Sequence, residues 1–150
     1  MALRALAWTL GRGIVAGALG TAAMTVSSTL EQRRRGREAS TAPADATAKV
    51  LGISGFQSDG AKARFGTLVH WGYGTSWGLA RAALGETGLS PVPATAAHFA
   101  AVWGSEQVML PALEVAPPLT RWGAQEVAID AFHHVVYATA TGLAYEALSR

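Results

Sequence analysis

Cysteine is absent from the chain, which removes disulfides, thiolate metal sites and cysteine nucleophiles from consideration. Charge is scarce as well. Only 15% of residues are Asp, Glu, Lys or Arg, against about 25% in an ordinary soluble domain. Arginines are not spread into a basic stripe with interleaved aromatics, so nucleic acid is excluded as a partner. The net charge of +2 is small, and the pI of 9.4 reflects one arginine cluster. No phosphate loop, dinucleotide fingerprint, HExxH or serine nucleophile signature is present. His133 and His134 are adjacent and lack the i, i+4 spacing of helical zinc hydrolases. These gaps argue against an enzyme.

What fills the chain instead is apolar. Half of the 150 residues are hydrophobic, 17 are glycine, and mean hydropathy is +0.22. That composition suits a helical membrane protein, in which glycine is commoner than in soluble helices. The spacing predicts spans at about 11–31, 65–85, 94–113 and 125–147, joined after the first by a polar cytoplasmic connection over 32–64. The expected fold is therefore all-α: one integral membrane domain over 1–150, a four-helix bundle with a polar cluster between its helices.

The first span follows a short basic region, as a signal peptide does, but Arg33, Arg34, Arg35 and Arg37 come directly after it. That is a stop-transfer pattern and favours a retained helix. Gly13, Gly17, Gly20, Thr21 and Thr25 give this span a small-residue face, along which a second copy could pack as a homodimer. Within the connection, Thr41 and Pro43 signal a short helix that Gly52 would end. Its weak face of Ala44, Ala48 and Leu51 suggests a position on the membrane surface. Pro111 is expected to kink or end the third span. The first loop carries Arg33, Arg34, Arg35, Arg37, Lys49, Lys62 and Arg64, whereas the second has little beyond Arg81. The positive-inside rule then places the first and third loops in the cytoplasm.

The fourth span is the informative one. At about 100° per residue, Glu126, Asp130, His133, His134, Tyr137 and Thr141 fall within an arc of roughly 100°. The opposite side is apolar: Ile129, Phe132, Val135, Val136 and Leu143. An acid at the centre of a spanning helix costs about 2.5–3.5 kcal/mol on insertion scales. The polar side must therefore face other helices rather than lipid. His70 on the second span, with His98 and Glu106 on the third, are its potential partners.

The second half, from about Pro111 to Tyr145, resembles the YagU family of bacterial inner-membrane proteins, whose molecular function is unknown, and His70 near the start of the second span is similar as well. The resemblance is carried by Met109-Leu110-Pro111, by Ala116-Pro117-Pro118, and by Glu126-x3-Asp130-x3-His134-x2-Tyr137. Asp130 stands where the family can have Glu, Tyr137 where it can have another aromatic, and Glu106 where it can have His. The first half matches only in character, with a glycine-rich span followed by a basic loop. The resemblance implies a four-helix inner-membrane fold rather than an activity.

Imidazole and carboxylate groups together suit a divalent metal, Zn, Fe or Mn. The candidate ligands are His70, Glu106, Glu126, Asp130 and His134, with Glu126 nearest the membrane surface as an entry group. The same groups would serve proton binding. The function expected is that of a non-enzymatic, multi-pass inner-membrane protein in ion homeostasis or a stress response. Two alternatives stay open: an accessory or assembly subunit in which the cluster only fixes helix packing, and a haem protein using two of His70, His98 and His134. Trp71, Tyr73, Trp77, Trp103 and Trp122 are read as packing residues and interfacial anchors.

Overall fold

The computed structural model describes residues 2–150, which are helical throughout their regular structure. Helix α1 runs Ala2–Arg35, α2 Ala42–Val50, α3 Asp59–Gly85, α4 Pro91–Ala112 and α5 Ala124–Leu148, with a single 3-10 turn at Leu119–Arg121. The chain is thus all-α. The helix starts follow local chemistry. Ser58 is extended and its hydroxyl accepts the Ala61 amide at 3.2 Å, opening α3. Pro91 and Pro93 fall in the first turn of α4, where a missing amide costs nothing. Gly36 and Gly52 sit at positive φ just past α1 and α2, and the Ile53 amide returns to the Ala48 carbonyl to close the second of these ends. Pro111 lies in the last turn of α4 and marks its end rather than a kink, since the helix stops at Ala112.

Helix α1 is the axis of the bundle, packed along much of its length against α3 and α5. Small residues make this possible. A methyl group at Gly13 would lie 2.7 Å from the Gly78 carbonyl oxygen, and one at Gly17 or Gly78 would strike the facing backbone. Gly20 meets Thr141 in the same way. The glycine face expected to receive a second copy is therefore filled by α3 and α5 of the same chain. Backbones at this separation gain dispersion contacts that larger side chains would forbid.

The buried core of alanines, Val102, Leu110, Tyr137 and Tyr145 also encloses polar side chains, and many large apolar side chains are exposed. Arg81, His98 and Thr141 are fully buried, and His133 and His134 nearly so. Large apolar side chains point outward from every long helix: Leu19 and Val26 on α1, Leu68 on α3, Val108 on α4, Phe132 and Leu143 on α5. Among the described residues one helix, α1, is long and apolar enough to cross a membrane by length and composition. The other three long helices do not meet that measure. Arg81, counted above as a loop charge, is instead inside the bundle, paired with Glu146. The loop between α3 and α4 is left without Lys or Arg.

Helix α2 does not rest on an outer surface by an Ala44, Ala48, Leu51 face. Ala44, Ala46 and Ala48 are all buried, whereas Leu51 is largely exposed. Polar tethers hold the helix down. The Asp45 carboxylate pairs with Lys62 at 2.9 Å, and Lys49 Nζ donates to the Leu113 carbonyl at 2.6 Å. The Thr41 hydroxyl and the Lys62 ammonium hold the Asp45 carboxyl below its ordinary value of 3.8. A depressed folded-state value stabilises above the ordinary value and is lost as pH falls through the folded one. Amide exchange in α2 is therefore expected to quicken below about pH 4, and Asp45→Asn should show the faster exchange already at neutral pH.

Candidate metal site

The site is built where α4 crosses α5. Asp130 and His134 are one turn apart on α5 and share a side. Their carboxylate and imidazole meet Glu106 on α4. His134 Nε2 lies 2.8 Å from Glu106 Oε2, and His134 Nδ1 lies 2.9 Å from the Asp130 carbonyl oxygen. A carbonyl only accepts, so Nδ1 carries the hydrogen and Nε2 of the neutral ring offers a lone pair. Two lone pairs cannot face each other at 2.8 Å unaided. One proton must be shared between Glu106 and His134, or a metal ion must take its place. Apart from His134, Glu106 Oε2 has no hydrogen-bond partner and is buried.

One donor atom each from Glu106, Asp130 and His134 fall within 4.8 Å of one another. Around a tetrahedral zinc, donors about 2.0–2.2 Å from the metal stand roughly 3.3–3.6 Å apart. The set is one imidazole and two carboxylates, and three protein ligands is the number found in sites that keep a coordination position open. These three residues could hold a metal ion.

Trp103, one turn before Glu106 on α4, donates its indole N–H to Asp130 Oδ2 at 2.7 Å. Its ring stacks on Phe99 with centroids 5.5 Å apart. The sequence reading of Trp103 as a packing residue or interfacial anchor does not include this hydrogen bond. The sequence did hold a signal for it: an indole N–H inside a bundle seeks an acceptor, and position 103 shares a helix side with Glu106. Outer partners that aim a metal-binding carboxylate are commonly worth 10–100-fold in affinity. Trp103→Phe keeps the stacking and loses the hydrogen bond, so metal affinity measured by competition with a chelating dye is expected to fall by about that factor.

The other candidates are placed differently. His70 Nε2 lies 2.8 Å from Thr25 Oγ1. The Thr25 hydroxyl already donates to the Thr21 carbonyl at 2.7 Å, so His70 Nε2–H is the donor and Nδ1 stays an acceptor. Glu126 is not part of the trio; it is exposed and forms a two-point pair with Arg35, 2.8 Å at the closer contact. His98 places Nε2 3.0 Å from the Trp77 carbonyl and packs on Tyr137. His133 meets Ser27 at 2.9 Å, with Glu31 3.8 Å away. Tyr137 donates to the Gly74 carbonyl at 2.6 Å. Thus α1 supplies hydroxyl partners to two histidines, Thr25 to His70 and Ser27 to His133.

A cavity of about 280 Å³ adjoins the trio, with Glu106 and His134 in its wall and His70 on another side. Helix α2 roofs it with Pro43, Ala46 and Val50. No family model, curated protein or solved structure matches the chain.

Proposed function

We propose that the chain is a multi-pass membrane protein of the bacterial inner membrane whose bundle binds a divalent metal ion at Glu106, Asp130 and His134. Its role is in ion homeostasis or a stress response, not catalysis. The observation that carries this reading is the meeting of His134 Nε2 and Glu106 Oε2 beside Asp130, in a bundle whose outer faces are apolar. Acids and histidines facing a bundle interior are expensive, and here two part-buried carboxylates converge on the buried His134. The membrane reading draws on the outward apolar side chains of all four long helices. The assignment to the YagU-like family is part of the same proposal and draws on the motif around Glu126, Asp130, His134 and Tyr137. The basic connection after α1 lies in the cytoplasm by the positive-inside rule.

A second reading has its own observation. The Trp103–Asp130 and His134–Glu106 contacts join α4 to α5 and would hold the bundle of an accessory subunit without any metal. Elemental analysis of chain purified in detergent from the membrane fraction separates the two. The metal reading expects about one zinc, iron or manganese per chain, lost in Asp130→Asn while the fold survives. The structural reading expects no metal and a lowered melting temperature in the same variant. Recovery of the chain from the soluble fraction would contradict both.

A further inference from the structure

We infer that the cavity under α2 binds a neutral lipophilic alcohol or phenol whose hydroxyl donates to His70 Nδ1. The inference concerns the space beside the metal trio, not the trio itself, and does not depend on a metal being bound.

The cavity walls come from all five helices and are mostly apolar, with Met24, Val69, Met109 and Leu110 among them. Methionine side chains adapt to irregular guests. Tyr73 and Trp77 meet edge to face with centroids 6.1 Å apart, and Tyr137 joins them in the wall. A small hydrated ion has no use for such walls. The volume of about 280 Å³ is near the lower end of what small organic ligands occupy.

Charge and hydrogen bonding then narrow the class. No Lys, Arg or Asp lines the cavity, and its one acid, Glu106, is already engaged with His134 at 2.8 Å. A charged ligand would therefore enter an apolar space without a free counter-ion. Other polar groups in the wall are committed too. Tyr137 donates to the Gly74 carbonyl and Thr21 to the Gly17 carbonyl. His70 is the exception. Its Nε2–H is directed at Thr25, so Nδ1 can only accept. Nδ1 has no protein partner, and it is not sealed inside the bundle as Nδ1 of His98 is. The remaining hydroxyls, Thr47 and Tyr73, donate or accept equally well and select nothing. The ligand must thus bring an uncharged donor, which on a lipophile is most simply O–H. A hydrocarbon or an ether would fill the apolar part and leave the His70 acceptor bare.

The test uses the full chain in detergent, stripped of metal with a chelator, and isothermal titration at neutral pH, with the heat of partition into empty micelles subtracted. The probe is β-naphthol, and β-naphthyl methyl ether, which has no donor, is its control. Saturable binding of the naphthol is expected. The ether should bind about tenfold more weakly, because it leaves the acceptor unpaired. The anion β-naphthoate should show no saturable binding. His70→Phe keeps an aromatic ring and removes the acceptor, so naphthol and ether should then bind equally. Equal binding of the two to the unaltered chain, no saturable binding of the naphthol, saturable binding of the naphthoate, or a naphthol preference that survives His70→Phe overturns the inference without touching the metal reading. Elemental analysis that finds no metal, with naphthol binding intact, overturns the metal reading alone. The comparison of the probes uses the unaltered chain, so a His70→Phe chain that fails to fold does not blunt it.

Discussion

His134→Ala chain, purified in detergent and exposed to excess zinc, is expected to retain no tightly held metal after gel filtration, where the unaltered chain retains about one ion. The reason lies in the donor set. Removing the imidazole leaves two carboxylates, Glu106 and Asp130, and two hard oxygen ligands hold a transition metal far less well than the mixed set. A second measurement accompanies it. Because the metal must displace the proton held between Glu106 and His134, each zinc bound should release a proton into weakly buffered solution. Protons and metal compete, so affinity should fall as pH is lowered. Neither effect should survive in His134→Ala. By contrast, Glu126→Gln should bind metal with nearly unchanged stoichiometry, because Glu126 is engaged with Arg35 outside the trio.

The second large effect concerns the other end of the bundle. The Arg81 side chain is completely buried, and its Nη2 meets Glu146 Oε1 at 2.6 Å. The guanidinium lies over the Tyr145 ring at 4.8 Å. Its Nε and Nη1 have no protein partner, so Glu146 and the Tyr145 ring face are what offset the charge. Glu146→Gln keeps the shape and removes the counter-charge. Breaking a buried pair from one side typically costs about 3–5 kcal/mol, because the remaining ion is left uncompensated. The partial exposure of Glu146 places this case at the lower end of that range. Thermal or denaturant unfolding in detergent should show the loss. The double variant Arg81→Met, Glu146→Leu should recover most of it, since a buried ion pair replaced by apolar groups of similar volume is often neutral or better. A single Glu146→Gln change without effect would mean that Arg81 is neutralised by something else.

The helical content and the polar side of α5 were legible in the sequence because both are periodic. Glu126, Asp130, His133, His134, Tyr137 and Thr141 share an arc by spacing alone, and the structure buries His133, His134, Tyr137 and Thr141 while Phe132 and Leu143 point outward. The meeting of Glu106 with Asp130 and His134 was legible in kind, since buried acids and imidazoles seek one another. Which candidates meet was not. The positions of His70 and Glu126 depend on Thr25 and Arg35, residues on a helix distant in sequence, and no local pattern links them. The small-residue face of α1 was read correctly as a close-packing surface, but spacing cannot say whether its partner is another chain or the same one. Helix α2 was found by its Thr41, Pro43 and Gly52 signals. Its burial was not foreseen, because three alanines make a weak face and the tethers from Lys62 and to Leu113 are tertiary.

X-ray absorption at the metal edge of the zinc-loaded, detergent-solubilised chain tests the central claim most directly. The account predicts about one zinc per chain in a shell of nitrogen and oxygen at about 2.0–2.2 Å, with the outer-shell signature of a single imidazole. A chain that takes up no zinc would contradict it, as would a shell with two or more imidazoles, or the same spectrum from His134→Ala.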